Sequence, residues 1–170
     1  MSVPLPVADI PVNFVPAKTG ELLHLGPIKM RVLEDGSRTS QRLSTVEGII
    51  PPHMAGPVAH WHEMHDETFY VTKGMVRFTV PKHPNNPEEK HIDAYEGDYV
   101  TVPVRAPHTF SNPSDGESRF FCTMTPSFYI NYFKLLSQVV DAGKPVTREM
   151  NLDAMAMYAT LSAEQEGPSA

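Results

Sequence analysis

Apolar and polar residues alternate in short runs over most of this chain. Turn residues such as Asp35-Gly36-Ser37 and Glu96-Gly97 separate the runs. Successive side chains of a strand point to opposite faces, so each run can bury one face of a β-strand. We predict strands over residues 28–33, 43–50, 68–72, 75–80, 91–94, 98–102, 107–112 and 118–124. Many short strands at this spacing are typical of an all-β barrel or sandwich.

The connections between these runs carry predictions of their own. Strands 68–72 and 75–80 flank Lys73-Gly74, and we expect them to pair as an antiparallel hairpin around this short turn. Residues 81–90 are polar and contain three prolines, which predicts a surface loop with His83 and His91 exposed beside it. Four prolines near the N-terminus predict an extended arm with one edge strand, over residues 1–25.

After Pro126 the apolar spacing changes from the period of a strand to that of a helix. It predicts one helix that begins at Ser127 as its cap and ends before Gly143. A second helix is predicted over residues 152–162. We therefore expect an N-terminal arm (1–25), a β-barrel (26–126) and a C-terminal helical extension (127–170).

Composition narrows the classes of function. The chain of 170 residues suits a single domain, and its net charge of −6 provides no basic face for nucleic acid. No window approaches the ~20 apolar residues of a membrane span, and the N-terminus does not resemble a signal peptide. The single cysteine, Cys122, lies in a strand-like run and is expected to be buried and inert. These features predict a cytoplasmic protein that binds neither nucleic acid nor membrane.

Three histidines and one glutamate have the spacing of a metal site. His60 and His62 lie two residues apart and can point to the same side of a strand, while Trp61 points away. A turn over residues 63–66 resets the alternation, so that Glu67 shares a face with Phe69 and Val71. The same period groups His108 with Phe110 and Asn112. Three neutral nitrogens and one carboxylate oxygen would suit a divalent transition metal.

The full register of this region resembles the two motifs of the cupin superfamily. The first motif comprises His60, His62, Glu67 and Gly74, and the second comprises Gly97, Pro103, His108 and Asn112. Two glycines of the motifs are replaced, by Met54 and Arg105, both at turn positions. Only one copy of the motif pair is present, so the chain resembles a small monocupin, similar to quercetin 2,3-dioxygenase-like cupins. The resemblance selects a jelly-roll β-barrel with two C-terminal helices, and it suggests a homodimer.

The resemblance also implies a function. It identifies His60, His62, Glu67 and His108 as ligands of Fe, Mn, Ni, Co or Zn, among which the donor set does not choose. Such a site leaves coordination positions open, so we expect catalysis with Glu67 also acting as general base. The expected activity is a dioxygenase that uses dioxygen on a phenolic, flavonol-like or polyketide-like enol. The alternatives are a non-oxidative isomerase, cyclase, dehydratase or decarboxylase, and a non-catalytic small-molecule-binding barrel.

Several further side chains are assigned to the surroundings of the metal. Met54, Phe69, Phe78 and Phe110 are expected to line the substrate pocket. Metal-binding histidines usually donate their second ring hydrogen to an acceptor, and Asp66, Glu63 and Asn112 are the candidates for this role. His65 is either a second base or a partner of the ligands, but its position in a turn favours exposure to solvent.

Overall fold

The computed structural model describes residues 10–84 and 87–163. Within them, two antiparallel sheets contain ten of the strands. The six-stranded sheet has the order β1-β2-β3-β11-β6-β9 and the four-stranded sheet has the order β4-β10-β7-β8. The strands of the larger sheet are β1 (Leu22–Leu25), β2 (Ile28–Glu34), β3 (Ser44–Ile50), β6 (Asp66–Lys73), β9 (Tyr99–Val102) and β11 (Ser118–Thr125). Those of the smaller sheet are β4 (Met54–Ala55), β7 (Met75–Val80), β8 (Lys90–Tyr95) and β10 (Thr109–Asn112).

The core lies between the two sheets, where the inward residues of each strand meet. Phe69 and Phe120 of the larger sheet interlock with Phe78 and Phe110 of the smaller one. The ring centroids are 5.0 Å apart for Phe69 and Phe78, and 5.3 Å apart for Phe110 and Phe120. All four rings are buried, as the alternating sequence pattern requires. The fold is the expected all-β jelly roll with two helices after it.

The predicted hairpin at Lys73-Gly74 is wrong. β6 pairs with β11 and β9, whereas β7 pairs with β10 and β8, so the chain changes sheets at Gly74. Gly74 has a φ of 70°, a left-handed conformation that glycine adopts without the strain of a side chain. One residue between the strands makes a sharp corner, and a two-residue hairpin turn does not form.

The C-terminal segment also differs from the prediction. A short 3₁₀ helix (Ser127–Tyr129) precedes α1 (Ile130–Asp141), and the Ser127 hydroxyl donates to the Gln41 side chain, with no capping bond to the helix. The second helix, α2 (Arg148–Met157), begins after Thr147, whose hydroxyl accepts a hydrogen bond from the Met150 amide. The second helix was predicted over residues 152–162. The prediction therefore starts four residues too late and extends beyond the end of α2 at Met157.

Two short strands form a third, small sheet that brings this segment to the histidine motif. β5 (His60–His62) pairs with β12 (Thr160–Ser162), in the register Thr160 to His62 and Ser162 to His60. Residues 160–162 were predicted as helix because their apolar positions continue the helical spacing. Ala159, with a φ of 52°, breaks the helix and turns the chain into the strand. None of the helices in the described ranges is long and apolar enough to cross a membrane.

Candidate metal centre

The paired histidines project inward from β5. His62 is completely buried and His60 is 4% exposed, while Trp61 between them is only half-buried. β12 holds one edge of β5. At the other edge the backbone of His60 exchanges two hydrogen bonds with that of His108, at 2.9 and 2.8 Å. This bridge, together with β10, sets His108 beside His60, with their ring centroids 4.6 Å apart.

Glu67, the first inward residue of β6, reaches the same point. Its Oε2 lies 3.3 Å from His62 Nε2 and 3.4 Å from His108 Nε2. Two atoms each about 2.1 Å from one metal are about 3.0 Å apart at a right angle and about 3.4 Å apart at the tetrahedral angle. Ring nitrogens of His60, His62 and His108 also lie within 4.8 Å of one another. Glu67 therefore has donor spacing with His62 and His108, and His60, His62 and His108 could hold an ion together. His62, His65 and Glu67 form a second, overlapping group with this spacing.

Hydrogen bonds orient the three rings with Nδ1 outward. His60 Nδ1 lies 2.7 Å from the Val58 carbonyl oxygen, and His108 Nδ1 lies 3.0 Å from that of Ala106. A carbonyl oxygen only accepts, so both Nδ1 atoms carry a hydrogen and the Nε2 atoms of the neutral rings keep a lone pair. His62 Nδ1 bonds to Thr160 Oγ1 at 2.8 Å. The Thr160 hydroxyl donates to the Tyr158 carbonyl, so it can accept from His62.

The actual acceptors differ from those predicted. Asp66 accepts from the Val104 amide, Glu63 binds Trp61 and Arg105, and Asn112 binds backbone oxygens and Ser114 in the turn after β10. Two carbonyl oxygens lie two residues before their histidines, and sequence reasoning about side chains could not find them. Thr160 was missed because β12 was predicted as helix.

Electrostatics favour neutral imidazoles and an ionised carboxylate. The pKa of His60 falls to about 3, because burial disfavours imidazolium and the neighbouring His108 and His62 rings would repel its charge. Burial also lowers the pKa of His62, against the attraction of Glu67. For Glu67, burial is the largest influence and would raise the pKa. Attraction to a charged His62 and hydrogen bonds from His108, His62 and His65 would hold the pKa well below its ordinary value. Neutral rings with hydrogen on Nδ1 supply neither to Glu67, so an ionised carboxylate here requires a cation in their place.

The side chains around Glu67 fit a bound cation. His62 Nε2 is buried and has no hydrogen-bond partner among the described residues, and it faces Glu67 at 3.3 Å. A buried carboxylate that faces nitrogen lone pairs is costly unless a positive charge lies between them. A divalent ion bound by His60, His62, Glu67 and His108 would satisfy these atoms together.

The expectation that His65 is exposed in a turn is wrong. Its side chain is fully buried, and neither ring nitrogen has a hydrogen-bond partner among the described residues. Nε2 lies 3.5 Å from Glu67 Oε1, and the ring stacks on Tyr129 at 4.5 Å between centroids. Burial of His65 depends on the 3₁₀ helix that covers this turn, which is distant in sequence.

The two replaced motif glycines have different structural consequences. Arg105 adopts a φ of 65°, so this position uses the left-handed backbone that glycine favours, and the guanidinium binds Glu63 at 2.8 Å. Met54 lies in β4 and needs no such backbone. Gly56 is the constrained residue there, because a Cβ at this position would lie 1.8 Å from the Phe110 carbonyl oxygen.

A cavity of about 490 Å³ extends from the metal centre between the sheets and the C-terminal helices. His60 and Glu67 are its polar lining near the histidines, and Met54, Phe69 and Phe110 contribute apolar wall. Phe78 does not line the cavity, because it lies behind Phe69 in the core. This volume lies in the range of sites for small organic ligands.

Helix α1, preceded by Tyr129, forms one long wall of the cavity. Tyr129 lies 4.7 Å from the His62 ring, whereas Val140 lines the cavity near the other end of α1. At about 1.5 Å per residue, these positions are about 16 Å apart. Tyr132 donates to Asn151 at 2.7 Å in the same wall, and the exposed Lys144 lies at the far end. The cavity therefore suits an elongated, mostly apolar molecule.

Comparisons with known proteins agree with this fold and site. The fold is a jelly roll that carries three histidines and a glutamate at one end of an apolar cavity. The family model for the cupin domain matches residues 46–124, which contain all four candidate ligands. This match supports assignment of residues 46–124 to the cupin superfamily. No curated protein matches the sequence.

Solved structures with a similar fold have diverse names. The polyketide cyclase RemF from Streptomyces resistomycificus is 18% identical, with a TM-score of 0.55 over 67% of this chain and 79% of that one. KdgF from Halomonas sp. is 17% identical, with a TM-score of 0.54 over 68% and 94%. A sugar phosphate isomerase from Silicibacter pomeroyi is 19% identical, with a TM-score of 0.47 over 58% of this chain and 59% of that one. At these identities the likeness shows the fold alone.

Proposed function

We propose that this chain is a metal-dependent cupin enzyme that acts on a small phenolic, flavonol-like or polyketide-like enol. The observation that carries the proposal is the buried Glu67 carboxylate, whose Oε2 lies 3.3 Å from the buried His62 Nε2 and 3.4 Å from His108 Nε2. His62 Nε2 has no hydrogen-bond partner among the described residues. Polar groups of this kind are costly unless a ligand uses them. His60, His62, Glu67 and His108 would hold one divalent ion, which supplies a Lewis acid with positions open to substrate.

The cavity supports an aromatic or conjugated substrate. Its walls include Phe69, Phe110 and Phe120, so apolar rings gain contact area and lose water on binding. His60 and Glu67 line the same space, so a substrate hydroxyl next to the metal would approach the carboxylate. Glu67 would then accept the hydroxyl proton as general base, and the apolar wall would exclude competing water.

Two reactions remain candidates for an enolate formed in this way. The first is dioxygenation, in which both atoms of O₂ enter the product. The second is non-oxidative rearrangement, such as cyclisation or isomerisation. A carboxylate that lines the cavity supports the non-oxidative rearrangement as much as the dioxygenation, because proton removal by Glu67 can start the rearrangement. The polyketide cyclase among the structures of similar fold is consistent with this candidate.

Oxygen dependence separates the two candidates. Metal-loaded protein is incubated with a flavonol and with a polyketide-like enol, once in air and once without oxygen, and substrate is followed by absorbance. Turnover coupled to O₂ uptake of one mole per mole supports the dioxygenase. Equal turnover without oxygen refutes it and supports the non-oxidative enzyme. Glu67→Gln should abolish either activity, while His91→Ala, a change far from the cavity, should preserve it.

A third outcome would overturn the enzyme proposal. Protein that takes up none of Fe, Mn, Ni, Co or Zn, but still binds the aromatic ligands, would be a non-catalytic binding barrel. Isothermal titration with each metal, followed by ligand fluorescence quenching, measures both properties.

A further inference from the structure

His65 lies beside the four candidate ligands without being one of them, and one of its ring nitrogens lies within 4.8 Å of donor atoms of His62 and Glu67. Its ring has no exposed surface, and both nitrogens lack hydrogen-bond partners among the described residues. A buried polar group without a partner costs roughly 1–3 kcal/mol relative to one that is satisfied. An apolar side chain would fill the same space without this cost, so packing alone does not account for a histidine here.

Packing holds the His65 ring in one place. The ring lies between His62, at 3.9 Å between centroids, and Tyr129, on which it stacks at 4.5 Å and 28°. Phe128 closes a third side at 5.7 Å in an edge contact. These contacts direct Nε2 toward Glu67, where it lies 3.5 Å from Oε1. The imidazole is thus pre-organised next to one oxygen of a single carboxylate.

The two oxygens of Glu67 face different partners. Oε2 lies 3.3 Å from His62 Nε2 and 3.4 Å from His108 Nε2, at the point where the candidate ligands converge. Oε1 lies next to His65 Nε2 instead. A proton on His65 Nε2 would make it the donor for Oε1, and a movement of a few tenths of an ångström would bring the pair to the usual length of about 3.0 Å. Oε2 alone would then be left for the metal.

We propose that His65 is a positioning residue that donates through Nε2 to Glu67 Oε1 and holds the carboxylate as a one-oxygen ligand of the metal. This inference rests on the proposed metal site and adds a residue to it. Hydrogen bonds from a neighbouring side chain to a metal-binding carboxylate fix its orientation and raise metal affinity, and their loss typically costs about 10–100-fold in affinity. One-oxygen binding also leaves more of the metal's coordination sphere open for substrate.

Two amide substitutions distinguish the two ring nitrogens. The side-chain nitrogen of glutamine can reach the place of histidine Nε2, whereas that of asparagine reaches only the place of Nδ1. We expect His65→Asn and His65→Phe to weaken Co²⁺ binding by about 10–100-fold and His65→Gln to recover most of the loss. The Co²⁺ absorption spectrum should change in His65→Phe, because the coordination of the carboxylate changes, and should return toward wild type in His65→Gln.

A double-mutant cycle tests whether His65 acts through Glu67. Replacing Glu67 by Gln leaves a single oxygen, which cannot accept from His65 as a carboxylate oxygen while a second oxygen binds the metal. His65→Phe should therefore have little further effect on Co²⁺ affinity in that background. Thermal unfolding without metal reports whether each variant folds. Should His65→Phe fail to fold, the cycle is run with His65→Asn.

The outcomes separate this inference from the proposed function. Wild-type protein that binds no metal would overturn both. Wild-type protein that binds Co²⁺ while all three variants at His65 bind equally well would overturn the role of His65 and leave the metal site standing. A loss in His65→Phe as complete as in His62→Ala, and undiminished in the Glu67→Gln background, would make His65 a direct ligand and refute the positioning role.

Discussion

Thr160 Oγ1 lies 2.8 Å from His62 Nδ1, so a residue ninety-eight positions further along the chain orients a candidate metal ligand. The contact exists because β12 pairs with β5 and sets Thr160 opposite His62. Thr160 in turn donates to the Tyr158 carbonyl oxygen at 3.3 Å. The C-terminal segment therefore contributes to the centre itself as well as to the cavity.

Thr160→Val should weaken metal binding without removing it. Valine keeps the shape of threonine but leaves His62 Nδ1 without an acceptor, and loss of such a partner lowers metal affinity about tenfold or more. Titration of Co²⁺ or Zn²⁺ measures the change. Thr79→Val provides the matched control, because Thr79 bonds to the exposed His91. Equal affinities in the two variants would contradict the role of Thr160.

The metal content of alanine variants should distinguish the histidines of the candidate centre from the other histidines. We expect His62→Ala and His108→Ala to lower metal occupancy sharply, because each removes a donor next to Glu67. His83→Ala and His91→Ala, both at exposed positions, should retain wild-type occupancy. Elemental analysis of the purified variants decides this. The ligand assignment fails if all four variants carry the same amount of metal.

Acid should destabilise the metal-free protein over a defined pH range. The pKa of His60 is about 3 in the folded state and about 6.5 when unfolded, so only the unfolded state gains the proton between these values. His60 alone should then lower the free energy of unfolding by about 1.4 kcal/mol per pH unit as the pH decreases below about 6.5, and the lowered pKa of His62 adds a loss of the same sign. Glu67, whose pKa is also depressed, adds a loss of the same sign at lower pH.

Urea unfolding of metal-free protein at a series of pH values measures this slope. His60→Gln should flatten it, whereas His91→Gln should not. Metal retention should follow the same direction, because imidazole must be neutral to bind, and the depressed pKa of His60 should move release below the pH of about 6 expected for an unperturbed histidine. A slope unchanged by His60→Gln would show that other groups cause the acid sensitivity.

Substitutions at Arg105, which replaces a glycine of the cupin motif, test whether the backbone conformation at this position favours glycine. Its left-handed φ of 65° strains any side chain, most of all a β-branched one. We expect Arg105→Val to lower the melting temperature by about 3–6 °C and Arg105→Gly to leave it unchanged or raise it. Differential scanning calorimetry at high salt makes the comparison while screening the exposed ion pair with Glu63. A lower melting temperature for the glycine variant than for the valine variant would contradict the strain argument.

The expected homodimer has a candidate surface. Tyr99, Tyr70 and Phe121 stand in cross-strand register on the outer face of the larger sheet, and they are 61%, 45% and 37% exposed. Exposed apolar clusters of this kind often mark interfaces. We expect the wild-type protein to be a dimer by light scattering, and the double variant Tyr70→Ser, Phe121→Ser to be a monomer. Tyr95→Ser, on the smaller sheet, should remain dimeric.

Local pattern predicted most of the strands and the buried faces on which the candidate ligands lie, because both depend on a period of two residues. Glu67, Phe69 and Val71 share a buried face, as do His108, Phe110 and Asn112. The alternation cannot reveal which sheet a strand joins, and so the corner at Gly74 was taken for a hairpin. The prediction that His65 is exposed failed for a related reason. Its burial depends on Tyr129 and Phe128, and no sequence signal near His65 indicates that they cover it.

The pairing of β5 with β12 has a consequence for how the protein matures. His60 and His62 leave the ribosome about a hundred residues before Thr160 does, so the nascent barrel has its imidazoles before it has the hydroxyl that orients one of them. Two carbonyl acceptors, from Val58 and Ala106, are in place earlier. For the proposed metal site, we expect full affinity only after β12 has paired with β5, because only then does Thr160 orient His62.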